Sequence, residues 1–466
     1  VTSITSTAID ALTAIVGSEA LSTSERELEA TSHDTWPLTT KWAMTGRHPN
    51  KGDVLIRISS FDQVAPILDV ATKERLPVTV RALASSVTGQ PLPVHGGIVL
   101  DVSAVPASYE VDDVNMTVRA TASHNGGDLE DALQARGLTT GHSPQSLYRS
   151  TVGGWLATLA TGQFSSLYGG IEDLVVGYTV ILASGETIQL SASPRAAMGP
   201  DLRQLFIGSE GTLGVITEVT LKVFRLPETQ IVQTFAMPNV HAGLEFLREQ
   251  ATLGLRPFLV RFYDTEEARH AMGDPRFASP VLFLGSRGAD RMARAEMDTL
   301  TELAERFGGY AIGRAGVEGW LARRFDFSTV EELLAAPGGY AETIEVAHNW
   351  DKIEILHTRL KSALAPLSDE VLAHFSHVYT QGSSMYLILL GRADSDEAAI
   401  ERIERIWSTA METCLDLGAE LSHHHGGGLA RSPYSRRSLG SAHLVLRRLK
   451  TALDPAGILN PGKLGL

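Results

Sequence analysis

The chain has 466 residues, with 40 Lys and Arg against 54 Asp and Glu and a formal net charge of −14. That length exceeds one ordinary core and predicts at least two domains, and the acidic balance argues against a nucleic-acid partner, whose binding needs clustered positive charge. The single cysteine, Cys414, excludes a disulfide framework and a cysteine-built metal or iron–sulfur site within one chain.

Residues 1–50 read as a helical lead-in followed by a Trp- and Pro-containing loop, DTWPLTTKWAMTGRHPN. The opening VTSITSTAIDALTAIVGSEA has neither a basic leader nor a long apolar run, and no later run approaches the roughly 20 apolar residues of a spanning helix. A cytoplasmic protein with no integral membrane segment is therefore expected, with a homodimer as the default oligomer. From Asp53, strands alternate with helices: VLIRI (54–58) as strand, Phe61–Arg75 as helix, PVTV (77–80) and GGIVLDVS (96–103) as strands. Strands follow over Asn115–Ala120, Gly177–Ala183 and Thr187–Leu190, with a short helix at Asp128–Arg136 stopped by Gly137. Beyond Arg225–Pro227 the helices lengthen. Strands are predicted at 231–237, 258–262 and 281–284, and helices at 240–253 and up to Arg306. An irregular helical stretch follows, then strands at 371–378 and 385–390 and a helix from Asp396 to Leu417 whose apolar stripe includes Cys414. Strands too far apart for tight hairpins predict a sheet covered by helices on one face, a separate cap domain in an α+β fold.

Two segments carry chemistry. GHSPQSLYRSTVGGWLATLATGQFSSLYGGI (141–171) is dense in glycine, serine and threonine, so its backbone can approach a ligand closely and offer N–H groups to phosphate oxygens. It lacks the GxGxxG and GK[ST] spacings of the commonest phosphate loops, and on composition alone a nucleotide cradle and an ordinary Gly-rich loop are equally good readings. IGSEGTLGVIT (207–217) has three glycines interrupting a strand pattern, a mark of a bulge or of close backbone approach. Further on, SHHHGGG (422–428) places three adjacent imidazoles, His423, His424 and His425. In an extended segment they would alternate sides, and a histidine with a pKa near neutrality can take a proton from an alcohol.

STVGGWLATLATGQ, YGGIEDLVV and IGSEGTLGVITEVTLKVF resemble the FAD-binding flavoprotein family of vanillyl-alcohol oxidase, p-cresol methylhydroxylase, glycolate oxidase and the D-lactate dehydrogenases. The pattern is most like that of alkyldihydroxyacetonephosphate synthase and runs from about Asp53 to the tail ILNPGKL. The resemblance implies a two-subdomain FAD-binding domain over residues 1–225, a substrate cap over 226–425 and a segment, 426–466, that returns to the FAD domain. It implies FAD contacts at Pro144, Ser146, Ser150, Thr151, Gly153, Gly154, Ala157, Thr158, Gly162 and Ser165, and at Glu210, Gly211, Gly214, Val215 and Ile216. An earlier pyrophosphate loop matches RALASSVTGQ (81–90): Ser85, Ser86 and Gly89 are kept, but Ala82, Leu83 and Ala84 stand where glycines are usual. With no anchor motif at His95 or His142, non-covalent FAD is expected.

On the substrate side the resemblance assigns catalytic roles to Tyr386 and to the histidine run, and anion binding to Arg261 in LVRFYD, so the substrate is expected to be a small anionic molecule. A second pocket arginine of the synthases is replaced by His374, and no metal is assigned, although His377 and the run could share one. The reading is an FAD-dependent oxidoreductase that moves a hydride from an alcohol or 2-hydroxy acid to flavin N5, with His and Tyr moving the proton. The alternative is a synthase-like transferase exchanging acyl for alkoxy through a flavin adduct. A binding module that keeps the fold without using flavin rests only on the missing glycines.

Overall fold

The computed structural model describes residues 4–466. Strands Val54–Arg57, Ile98–Asp101 and Val78–Arg81 pair in parallel, edged by Leu21–Ser22 in antiparallel. The first residues of the parallel strands are apolar and buried and each strand ends on a half-buried charge, the pattern of a parallel sheet covered on both faces. The capping box of Ser60 and Gln63 starts the short turn Phe61–Gln63, which runs into helix Val64–Glu74, and that helix lays Ile67, Leu68 and Ala71 on the sheet. A second, antiparallel sheet runs in the order Tyr109–Asp112, Thr117–Thr121, Val215–Lys222, Val175–Ile181, Thr187–Leu190. The tail is stitched to the first sheet: Leu459 bridges Val78 in parallel and Asn460 N–H donates to the Val78 carbonyl at 2.8 Å.

Residues 229–392 contain a seven-stranded antiparallel sheet in the order Tyr310–Ala311, Thr229–Ala236, Val281–Gly288, Leu259–Tyr263, Glu370–Val378, Gly382–Arg392, Gly339–Asn349. Alternate side chains point to opposite faces. Val260, Phe262, Ala373, Phe375, Met385, Leu387, Ile344 and Val346 face one way, into a core closed by helices Val240–Thr252, Asp290–Arg306, Ile353–Leu364 and Asp396–Leu417. Cys414 lies in that core, as the apolar stripe requires. The other face looks toward the first half of the chain: Phe258 meets Phe164 edge-on at 5.2 Å. The Arg287 guanidinium lies against the rings of Phe164, Tyr168 and Phe258 at 4.7, 4.7 and 4.6 Å.

Three elements differ from the sequence expectation. The Trp- and Pro-containing loop holds a helix, Pro37–Met44, begun by a proline in the first turn. The irregular helical stretch ends in the strand Gly339–Asn349, where buried acids at Glu342 and Glu345 break the apolar alternation that marks a strand. The C-terminal segment holds several short helices before His443–Leu453 rather than one. Among the described residues no helix is long and apolar enough to cross a membrane.

Candidate functional site

Directly opposed residues of neighbouring strands share a face, and the register Tyr263↔His374, His374↔Tyr386, Tyr386↔Glu345 sets four polar side chains in one row across the cap sheet. Arg261, two residues before Tyr263, joins them. Its Nε donates to the Tyr263 hydroxyl and one Nη2 hydrogen to His374 Nε2, both at 2.8 Å, and its guanidinium lies 4.8 Å from the Trp320 ring. A guanidinium only donates, so His374 Nε2 accepts and its proton sits on Nδ1, which faces the Glu267 carboxylate at 2.7 and 2.9 Å. Burial, reinforced by the Arg261 charge, holds His374 well below its ordinary pKa. Burial pushes the Glu267 carboxyl up to about 8 against the pull of Arg261. Tyr386 stacks on His374, centroids 4.9 Å apart and planes 12° from parallel. Burial moves its phenol upward from 10, so Tyr386 is a protonated donor at neutral pH and not the lowered phenol a base would need.

The histidine run is a bend, not an extended strand, and its rings do not alternate. The cause is Glu345, fully buried, whose carboxylate accepts the backbone N–H groups of His423, His424 and His425 and the Ser422 hydroxyl. Arg431 closes the bend from behind, donating to the Glu345 carboxylate at 3.2 Å and to the Gly426 carbonyl at 2.9 Å. Burial opposes ionisation of Glu345, but the charge of Arg431 and the imidazoles outweigh it and the net direction is down. His424 and His425 thereby both face Tyr386, at 6.2 and 5.4 Å between ring centroids. His423 turns away, its Nε2 on the Tyr379 hydroxyl at 2.7 Å and its Nδ1 on His424 at 3.0 Å. Burial lowers His423 and His424 to about 3 and His425 to about 4, so the imidazoles are neutral proton acceptors rather than groups titrating near pH 7. A register irregularity between Phe375 and Val378 brings His377 to the same side, where it stacks on His423 at 4.8 Å. One nitrogen each of His377, His423 and His424 lie within 4.8 Å of one another.

Segment 141–171 approaches this constellation directly, through the Ser165 hydroxyl on His377 Nδ1 at 2.8 Å. Most of its other hydroxyls are spent on the chain. Ser150 Oγ receives Trp155 Nε1–H, Thr151 Oγ1 caps Gly154 N–H, and Thr158 Oγ1 donates to the Gly154 carbonyl. Pro144 and Ser146 offer their carbonyls to the turn that follows. Gly153 and Gly162 allow close packing, since a Cβ would meet the Ala122 Cβ at 2.6 Å and the Ser143 nitrogen at 2.4 Å. Ala157 holds the second segment through its carbonyl, which accepts Glu210 N–H at 2.8 Å. The Glu210 side chain is buried, and its carboxylate accepts the N–H groups of Gly427 and Gly428. Gly211 takes φ 73° with open space on its Cβ side, and Gly214 leads into the strand that carries Val215 and Ile216. In the loop 82–89, Ala84 adopts φ 51°, the left-handed conformation of the missing glycine, at a cost of about 1 kcal/mol.

The FAD binding domain family matches residues 52–191, and the family of FAD linked oxidases, C-terminal domain, matches residues 226–464. The chain belongs to the FAD-linked oxidases. It is 31% identical over 424 residues to the uncharacterized FAD-linked oxidoreductase YgcU of Escherichia coli (strain K12), covering 88% of each chain. It is 29% identical to the alkyldihydroxyacetonephosphate synthase of Caenorhabditis elegans, covering 89% of this chain and 76% of that one. A solved alkyldihydroxyacetonephosphate synthase superposes with a TM-score of 0.81 over 98% of this chain and 85% of that one, at 23% identity. FAD is the cofactor, and covalent attachment is not indicated.

The residues of this FAD-linked oxidase fit that group. Ser123 Oγ, both ring nitrogens of His142, Ser143 Oγ and Gln163 Oε1 are buried without a hydrogen-bond partner. Interiors rarely leave so many polar atoms unpaired in one place, and a cofactor rich in hydroxyl, carbonyl and phosphate groups supplies partners for them. His142 rests on Trp155 at 4.6 Å, and burial lowers it to about 3. The structure thus brings Tyr386, His424, His425 and Arg261 together and turns His423 aside. Sequence reasoning missed Glu345, whose only signal is an acidic residue inside a largely apolar run, and Glu267, which lies in the polar helix Thr265–Met272 and carries no such signal.

Proposed function

We propose that the chain is an FAD-dependent oxidoreductase that oxidises a small anionic alcohol or 2-hydroxy acid. Residues 1–225 would hold the flavin, 226–425 cover the substrate and 426–466 return to the flavin half. What carries the reading is the juxtaposition of three functions in one small volume: a guanidinium with spare hydrogens at Arg261, a phenol kept protonated at Tyr386, and neutral imidazoles at His424 and His425. The chemistry FAD supplies when bound is acceptance of a hydride at N5 from the substrate carbon. Arg261 keeps both Nη1 hydrogens and one on Nη2, enough for a two-pronged grip on a carboxylate. His424 or His425 takes the hydroxyl proton as the carbonyl forms. Glu345 lies 3.9 Å from Nδ1 of each and steadies the imidazolium that results. Tyr386 holds the substrate oxygen by donating to it.

Anaerobic mixing with a panel of hydroxy acids and alcohols tests the reading. Bleaching of the flavin with release of the matching ketone or aldehyde is expected. The 29% likeness to a synthase keeps a second reading in view: a panel that never bleaches the flavin, with acyl exchanged for alkoxy, replaces oxidation with group transfer. The proposed steps call on no metal, since the proton passes to an imidazole and the hydride to the flavin. Activity is expected to survive dialysis against EDTA.

A further inference from the structure

The loop whose glycines are replaced by Ala82, Leu83 and Ala84 is held from outside itself. Asp34 is buried, and its carboxylate accepts four hydrogen bonds. Two come from its own segment, Trp36 N–H at 3.1 Å and the Thr39 hydroxyl at 2.9 Å. Two come from the loop, the Ser86 hydroxyl at 2.7 Å and Gly89 N–H at 2.8 Å. Next to it the Thr35 hydroxyl lies 2.9 and 2.8 Å from the carbonyl oxygens of Ser85 and Ser86, and Thr35 N–H donates to Ser86 at 3.1 Å. The loop's entry is fixed to the same segment, Arg81 donating to the Thr31 carbonyl at 3.2 Å. Residues 82–84 are therefore pinned at both ends by residues 31–35 while Ala84 sits in the left-handed region.

That segment is itself immobilised in the cap. The indole N–H groups of Trp36 and Trp407 both donate to Glu342, at 3.0 and 2.8 Å, and the two rings meet edge-on at 5.8 Å. Lys41, with no exposed surface, pairs with Asp396 at 2.7 Å.

We propose that Asp34 is a positioning residue for the cofactor: it imposes on the loop 82–89, through Ser86 and Gly89, the conformation that glycines ordinarily make accessible there. Glycines lower the strain of a left-handed turn but leave it loose. An external carboxylate supplies the opposite combination, a strained turn held rigid. The inference rests on the cofactor reading of Ser85, Ser86 and Gly89.

The test is a double-mutant cycle on the full-length chain, stripped of FAD and titrated with it, read by flavin fluorescence. In Asp34→Asn the single amide oxygen can accept from the loop donors or from Trp36 and Thr39 but not from both pairs, and the NH2 is turned against the donors of the other pair. The FAD Kd is expected to rise about tenfold to a hundredfold, the worth of hydrogen bonds to a buried charge. Ala84→Gly should recover several-fold of that loss while changing the parent's Kd little, a coupling that a merely structural Asp34 would not produce. Amide exchange over 82–89 in the stripped protein should quicken in Asp34→Asn. If that variant does not fold, Ser86→Ala with Thr35→Val carries the same cycle. An unchanged Kd, or a loss that Ala84→Gly leaves untouched, overturns the inference. A parent chain whose loop shows no change in amide exchange when FAD is added overturns instead the cofactor reading of the loop.

Discussion

The two halves of this flavoprotein build their shares of the site from different materials. On the cofactor side the working surface is backbone: glycines that let segments touch, N–H groups at turns, and hydroxyls largely consumed in holding those turns. On the cap side it is side chains, set in a row by strand register and kept from water by their neighbours. A backbone surface is specified by which residues are small, and it tolerates exchange of side chains that point elsewhere. A side-chain surface is specified by ionisation states, and each state here has a supporting group: Glu345 behind the imidazoles, Glu267 behind His374, Tyr263 beside Arg261.

This contrast can be broken or sharpened experimentally. The largest effect is expected from His424→Ala and Tyr386→Phe, each lowering kcat by about a hundredfold to ten-thousandfold with the visible flavin spectrum unchanged; loss of flavin instead would mean that the cap side also holds the cofactor. Next is Glu345→Gln, which leaves Arg431 buried opposite a neutral amide. It should cost about 3–5 kcal/mol of stability in urea unfolding and slow turnover by displacing the bend. Arg261→Met should raise KM for an anionic substrate by about tenfold to a hundredfold, the equivalent of roughly 1.5–3 kcal/mol, with a smaller change in kcat.

The last effect concerns pH. Burial pushes the Glu342 carboxyl from its ordinary 4.5 up to about 8. A group that binds its proton more tightly in the folded chain contributes stability that is full below its unfolded pKa and is lost as pH rises through the folded one. Urea midpoints should therefore decline between about 4.5 and about 8, and Glu342→Gln should make that decline shallower, Glu267 contributing the remainder over the same range. A decline of equal slope in the variant would assign it to other groups.

The two halves also differed in how far they could be read from sequence. The glycine segments announce themselves because the need for small residues is written in the residues themselves, and the helix Asp396–Leu417 follows from its apolar period. In the cap, Tyr386, Arg261 and the histidine run were found through resemblance to relatives. The strand Gly339–Asn349 was missed because Glu342 and Glu345 look like solvent-facing acids until their partners, two indoles and a ring of backbone N–H groups, are in place. The bend at 423–425 was unreadable for the same reason: three histidines in sequence say nothing of the carboxylate, 78 residues earlier for His423, around which they turn. Asp34 likewise acts on a loop more than 50 residues away.

The row Tyr263–His374–Tyr386–Glu345 has a consequence for how such a protein changes over generations. Its members occupy the face opposite the large helix-packed core, and on their own side helices Thr265–Met272 and Ala315–Arg323 bring Glu267 to His374 and Trp320 to Arg261. Positions 261 and 374 can therefore be exchanged without disturbing the large core behind the sheet, provided that Glu267 and Trp320 accommodate the change. New substrates become reachable by single replacements along neighbouring strands, with the redox apparatus inherited intact. His374, where the resemblance to the synthases leads one to expect a second arginine, is a position of this kind.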